Sequence, residues 1–514
     1  MSTEMHDEAR ASTLDLPRDE LEELAQSFCR MALEYFASPE ALPVFPETSA
    51  EKVCELFRTR LPEEGVGLEA LARDCAQVVR HSRQNGHPRM FGYVASPATP
   101  VGAFASLLAA ALNSNVTSWR SSPGPTEVER TVVGWLAEMI GFKGEEMSET
   151  CGGLLTSGGS MANMNALFVA HRTHARGGHD VAREGLWNAG APATLYASDQ
   201  VHLSIPKAAD ILGLGREQVR IVPSDERFRL DVRLLRERVE ADERAGLSPF
   251  CVVASAGTVS TGAVDPLREL ARFAREHSLW LHVDGAYGAL AACAPSKRAL
   301  FDGLAEADSI SLDPHKWLYT PLSAGCVLFR DLKHAGTAYA GTEEGYIKVF
   351  EHAKEEAFAF WDYGTELSRP FRALKVWATL SYYGARRISA AIEEDCALAE
   401  YMSERVTASE DFELLAPATL GICCFRYVPA AARRELEAAA DDEEERRRIN
   451  LGLARLNERA MLAVQRGGEA YISNADLRGL FALRASITNF RTTRRDIDLT
   501  LDAVRHAVRE LENE

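Results

Sequence analysis

The sequence predicts an α/β fold on a mainly parallel central sheet, with a helical segment before it and a small α+β domain after it. Three observations carry this. From about residue 100 to 374, short apolar runs alternate with helical stretches, the pattern of units that build parallel sheets. Before residue 100, apolar residues recur only at helical spacing. After residue 374, helical patterns flank two apolar runs, GICCFRYV and FALRASIT.

The N-terminal segment, 1–99, contains the stripes LEELAQSFCRMALEYF and LEALARDCAQVV, separated by the proline-marked breaks ASPEALPVFPETS and RLPEEG. Such a helical arm must bury its stripes on something else. VGAFASLLAAALNSNV is too short to span a membrane, is interrupted by Asn113, and is expected to be a buried helix. In the large domain, 100–374, the runs ATLYAS, QVRIVP, FCVVASAG, LWLHVDG, SISLD and AGCVLFR are expected strands. Helices such as VRLLRERVEA and PLRELARFAREH separate several of them. Ligands of such sheets sit beyond the carboxyl ends of the strands, so the residues just after these runs are where chemistry is sought. In the C-terminal domain, 375–514, the charged stretch ARRELEAAADDEEERRR is expected to be a solvated helix or a mobile insertion.

Composition narrows the function. Of 514 residues, 46% are hydrophobic and 26% charged, enough for large buried cores and about three domains. A formal net charge of −18 argues against a nucleic-acid partner. The opening MSTEMHDEAR has no basic-then-apolar signal pattern, and the ten cysteines form no CxxC. Reduced thiols in a cytoplasmic protein are expected, with no membrane and no metal site, since no HExxH or similar spacing occurs.

Four clusters carry chemistry. In LLTSGGSMANMNAL an apolar lead-in reaches Gly158, Gly159 and Ser160 where a helix begins. That is a cradle for an anion, or simply a glycine turn opening a helix. In SDQVHLS, His202 follows a strand, placed either to lie against a flat ring or to serve the fold. In LWLHVDGAYGAL a buried strand delivers Asp284. A buried carboxylate is costly unless paired, and a protonated ring nitrogen would pair it. Gly285 and Ala286 leave room for something flat; capping the next helix is the alternative. In SISLDPHKWLYTPLSAGC, Lys316 stands in a loop with His315 and Trp317, enclosed enough to act as a free amine. An anion cradle, a stacking group, a carboxylate for a pyridinium and an amine for an aldehyde are together the handles of pyridoxal phosphate.

DPHKWL and HVDGAYGA resemble segments of the group II pyridoxal-phosphate-dependent decarboxylases, the family that includes aromatic-L-amino-acid and glutamate decarboxylases. The resemblance covers nearly the whole chain, including HPRMFGYVASP, SWRSSPGPTEVERTVVGWL, FRALKVW and LRASITNFRTT. It implies the fold-type I, aspartate-aminotransferase-like architecture and an intertwined homodimer with active sites at the interface. It further implies that Gly159 and Ser160 hold the phosphate with help from His315, and that His202 stacks on the ring. Asp284 pairs with the ring nitrogen, Lys316 carries the cofactor as a Schiff base, Ala286 lies under the ring and Thr258 near it. Tyr93 and Ser96 fall on the substrate side, Trp119 on a pocket wall, and Ser368 where it reaches the partner's site. Tyr346 matches a mobile-loop tyrosine that protonates the product. Asp313, Leu203 and Val259 depart from the family pattern. The expected reaction is decarboxylation of an aromatic L-amino acid to its amine and carbon dioxide. The alternatives are a neutral or aliphatic substrate, an aldehyde synthase, an aminotransferase, or a catalytically silent homologue, against which intact Asp284 and Lys316 argue.

Overall fold

The computed structural model describes residues 14–142, 150–174, 181–186, 190–339 and 356–513. Its central sheet has seven strands: Gly152–Thr156 (β1), Ala193–Ser198 (β2), Val219–Val222 (β3), Ser248–Ser255 (β4), Trp280–Asp284 (β5), Ser309–Leu312 (β6) and Gly325–Phe329 (β7). They lie in the order β1-β7-β6-β5-β4-β2-β3. All neighbours pair in parallel except β7, which runs antiparallel to both β6 and β1. Every residue of β5, β6 and β7 is buried, as expected of strands covered by helices on both faces. The register aligns Ser255 of β4, Asp284 of β5 and Ser311 of β6 at the carboxyl edge. The fold thus brings these three polar side chains to one place.

A second, antiparallel sheet, in the order β10-β11-β9-β8, is built from Phe412–Ala416 (β8), Ile422–Tyr427 (β9), Ser473–Leu477 (β10) and Leu480–Ser486 (β11). β8 and β10 escape notice in the sequence. β10, SNADL, is half polar because it alternates buried and exposed residues, and it joins β11 through Arg478 and Gly479, at φ 57° and 82°. The helix Ala373–Thr407 links the two sheets and is interrupted at Gly384. The charged stretch at 432–448 forms the end of the helix Ala430–Ala438, which buries nothing, and the start of the helix Glu443–Gly467, capped by Asp442.

One expectation is overturned. The helix Pro100–Leu112 is not buried: within this chain only Gly102 is, and Leu107, Leu108 and Leu112 are more than half exposed. Its apolar residues run all round, so one face meets the helix Ala373–Thr407 while another faces outward. The helix Arg18–Ala37 likewise has no buried residue. Among the described residues no helix is long and apolar enough to cross a membrane.

A buried carboxylic acid ties the lysine loop to the linking helix. The Tyr319 hydroxyl donates to Asp395 Oδ2 at 2.8 Å, and the backbone N–H of Asn489 also donates to Asp395. Burial raises the Asp395 pKa to about 7, with the Tyr319 hydrogen bond opposing. Because the folded value lies above the unfolded one, folding holds a proton that the unfolded chain releases. This contribution to stability is therefore present below about pH 4 and lost as pH rises towards 7. Asp395→Asn mimics the protonated form. It should unfold at nearly the wild-type temperature at pH 4 and become more stable than wild type by on the order of 2–4 kcal/mol at pH 8. Thermal unfolding of both proteins across that range checks this; parallel curves would contradict it.

Candidate active site

The carboxyl ends of β4, β5 and β6 open into a cavity of about 640 Å³. Its lining includes Gly159, Ser160, His202, Thr258, Asp284, Ala286, His315 and Lys316, residues gathered from five separate stretches of sequence, together with Tyr93.

Each is set by its local structure. Gly159 opens the helix Gly159–His174 directly after β1, with that helix's unpaired N–H groups at the cavity. A Cβ on Gly159 would stand 2.6 Å from the Ala286 Cβ and 3.0 Å from Asp313 Oδ2, so only glycine fits. Asp284 ends β5 and is 8% exposed. Its Oδ1 accepts from Ser311 Oγ at 3.1 Å and from the Ala286 N–H at 3.2 Å, and its Oδ2 accepts from Asn163 Nδ2 at 2.9 Å. Three donors thus converge on it, yet it has no cation partner among the described residues. His202 follows β2; Ser204 Oγ lies 2.7 Å from its Nδ1, and the Ser204 N–H also donates to that nitrogen at 3.2 Å. Nδ1 is therefore the acceptor, and the proton of the neutral ring sits on Nε2.

Lys316 lies in the short turn Pro314–Trp317 just past β6. Its Nζ is 2.8 Å from Asp313 Oδ2, while Asp313 Oδ1, buried, has no hydrogen-bond partner. The departure at Asp313 thus supplies the lysine's counter-ion. Burial, more than the nearby charges, keeps His315 below the ordinary histidine range. Ser96 does not line the cavity: its hydroxyl donates to the His315 carbonyl at 2.7 Å, behind the loop. The Thr258 hydroxyl is 2.9 Å from that of Thr261 and shapes its own turn.

Trp119 and Ser368 do not line this cavity either. They sit on a ribbon in which the Trp119 N–H donates to the Phe358 carbonyl at 3.0 Å and the Phe360 N–H to the Thr117 carbonyl at 2.9 Å. The ribbon is clamped by the Arg369–Glu129 ion pair, 1% exposed on each side, and by hydrogen bonds from Arg369 to the carbonyls of Val116 and Leu155. Tyr346 lies outside the described residues.

Sequence reasoning missed Arg484, Asn163, Ser204 and Ser311. Arg484 on β11 lines the cavity and is 4% exposed. It donates to the Tyr93 carbonyl at 2.8 Å and to Ser473 Oγ and the Ser260 carbonyl at 3.3 Å, while its Nη2 has no hydrogen-bond partner. An arginine inside the apolar run FALRASIT was the available signal, because a guanidinium is rarely buried without an anion to meet.

These residues fit pyridoxal phosphate. A buried carboxylate lacking a cation suits a ring nitrogen, a glycine-bearing helix N-terminus suits a phosphate, and the Lys316 amine suits an aldehyde.

Comparison with known proteins agrees. The family model described as the pyridoxal-dependent decarboxylase conserved domain matches residues 50–428. The aromatic-L-amino-acid decarboxylase of Bacillus atrophaeus is 32% identical over 487 residues, 94% of either chain. The phenylacetaldehyde synthase of Petunia hybrida is 29% identical, covering 92% of this chain and 91% of its own. The crystal structure of Oryza sativa TDC with PLP and tryptamine superposes with a TM-score of 0.86 at 27% identity, covering 97% of this chain and all of that one.

Proposed function

The chain belongs to the pyridoxal-dependent decarboxylase family, and from that premise we propose that it converts an aromatic L-amino acid into the corresponding amine and carbon dioxide, with Lys316 as the residue that carries the cofactor. The observation behind this reading is that the Lys316 amine and the Asp284 carboxylate open onto one cavity. Pyridoxal phosphate, when bound, supplies an aldehyde for the substrate amine and a cationic ring that draws electrons out of the Cα–carboxyl bond.

The chain's own residues do the rest. Asp313 Oδ2, 2.8 Å from Lys316 Nζ, would orient that nitrogen in the cavity. The N–H groups at Gly159 and Ser160, with His315, would hold the phosphate. Asp284, oriented by its three donors, would pair with the ring nitrogen. His202, Ala286 and Thr258, which line the cavity, would enclose the ring when it is bound, and Ser96 steadies His315. Arg484 balances the substrate carboxylate until carbon dioxide leaves, and Tyr346 delivers the proton to Cα. An aromatic substrate is supported by the curated relatives and by Tyr93, which lines the cavity with its ring centroid 6.1 Å from that of Tyr471.

A homodimer belongs to the same proposal. The outward apolar faces of the helices Arg18–Ala37 and Pro100–Leu112 need a cover, and Trp119 and Ser368, outside this chain's own cavity, would serve the partner's. So do the division at 1–99, 100–374 and 375–514 and a cytoplasmic setting, supported by ten cysteines none of which is joined in a disulfide among the described residues.

The test is to incubate the loaded protein with each standard L-amino acid and quantify amine, aldehyde and carbon dioxide together. Equal amine and carbon dioxide from tryptophan, tyrosine or phenylalanine is expected. Aldehyde with peroxide would identify a synthase instead, and turnover confined to aliphatic substrates would overturn the aromatic assignment.

A further inference from the structure

The side chain of Asn163, 1% exposed in the helix Gly159–His174, touches Asp284 directly and reaches His202, the other group assigned to the cofactor ring, through Ser204. Its Nδ2 donates to Asp284 Oδ2 at 2.9 Å and to Ser204 Oγ at 2.8 Å, and Ser204 in turn meets His202 Nδ1 at 2.7 Å. Its Oδ1 lies 2.9 Å from His282 Nε2. An ionised Asp284 only accepts, so the amide nitrogen must face it and the amide oxygen must face His282. His282 is fully buried, and burial lowers its pKa to about 4 despite the opposing pull of Asp284. It is therefore neutral and carries its one proton on Nε2, towards Asn163. Its Nδ1 is 2.9 Å from Ser309 Oγ, which itself accepts from Trp280 Nε1 at 2.8 Å. Every donor in this chain has an acceptor, and the direction of each bond is fixed from Trp280 inward.

We infer that Asn163 is a positioning residue whose single carboxamide holds Asp284 directly and His202 through Ser204, coupling the two groups that face the cofactor ring. The inference rests on the assignment of Asp284 and His202 made above. Removing the amide takes one of three donors from Asp284 and leaves Ser204 free to turn from His202. Replacing it by a carboxyl of equal volume is worse. Two acids at 2.9 Å must share a proton, and Asp284 then no longer carries a full charge.

The test compares wild type, Asn163→Ala, Asn163→Asp and Asp284→Asn. It uses titration of the apoprotein with pyridoxal phosphate, the pH at which the visible band of the bound cofactor converts, and thermal unfolding. Asn163→Ala should bind the cofactor about ten- to hundredfold more weakly, the range for a hydrogen bond to a charged group. Asn163→Asp should weaken it at least as much and move the conversion by about one pH unit or more. If Asn163→Ala fails to fold, the isosteric Asn163→Asp carries the test alone. A lowered unfolding temperature with affinity and conversion unchanged in Asn163→Asp would reduce Asn163 to a structural residue and overturn the inference. Wild-type affinity in Asp284→Asn would overturn instead the assignment of Asp284 on which the inference rests.

Discussion

Lys316→Ala should reduce amine formation by at least ~10³-fold while leaving a folded protein that retains pyridoxal phosphate only weakly. The loss is large because a covalent catalytic group disappears, and among the described residues no other lysine lines the cavity. The fold should survive, since Lys316 faces the cavity and its side chain is 19% exposed. Asp313, 4% exposed, then loses the one cation at hydrogen-bond distance among the described residues, which should cost ~1–3 kcal/mol. The double variant Lys316→Ala/Asp313→Asn separates the two effects: unfolding temperature should recover and turnover should not. Turnover recovering along with stability would show that the single variant failed through misfolding.

Asp284→Asn should cut turnover by roughly a hundredfold and weaken cofactor binding. An adjacent opposite charge moves a pKa by about 1–3 units, so without the carboxylate the ring nitrogen loses much of its proton at neutral pH. The electron-withdrawing capacity of the ring falls in proportion. There is a second, geometric penalty. Asp284 accepts from Ser311 Oγ, the Ala286 N–H and Asn163 Nδ2, so an asparagine must point an N–H₂ at one of these donors. Asn163 is the side chain able to turn, and its turning unseats Ser204 and His282. Asp284→Glu keeps the charge but not the reach and should fall between the two. Steady-state rates with an aromatic L-amino acid, at saturating pyridoxal phosphate, read the result; wild-type turnover in Asp284→Asn would remove Asp284 from the ring.

Much of the site was legible because an α/β sheet sends chemistry to the ends of its strands. Lys316, Asp284 and His202 each directly follow or end an apolar run, and the strand rule alone brings them to one edge. What stayed hidden depended on contacts that sequence order does not reveal. Arg484 reaches the Tyr93 carbonyl from 391 positions away, on a strand of the other sheet. Ser311 joins Asp284 only through the parallel register of β5 and β6. Asn163 is one polar residue on a helix with many small apolar ones, and nothing in its spacing marks it. The helix Pro100–Leu112 misled for a different reason: an apolar run does not say which surface covers it, and here the chain alone leaves Leu107, Leu108 and Leu112 uncovered. β10 was missed because polar residues fill the exposed half of its alternation.

The central claim is that Lys316 is the amine that meets the cofactor's aldehyde in this cavity. Borohydride reduction of the protein loaded with pyridoxal phosphate, followed by digestion and peptide mass mapping, tests it most directly, because reduction fixes the linkage wherever it has formed. The account predicts one modified peptide, the one containing DPHKWL, with the added mass on Lys316 and no such adduct in Lys316→Ala. Stoichiometric labelling of a different lysine, or unchanged labelling in that variant, would contradict it.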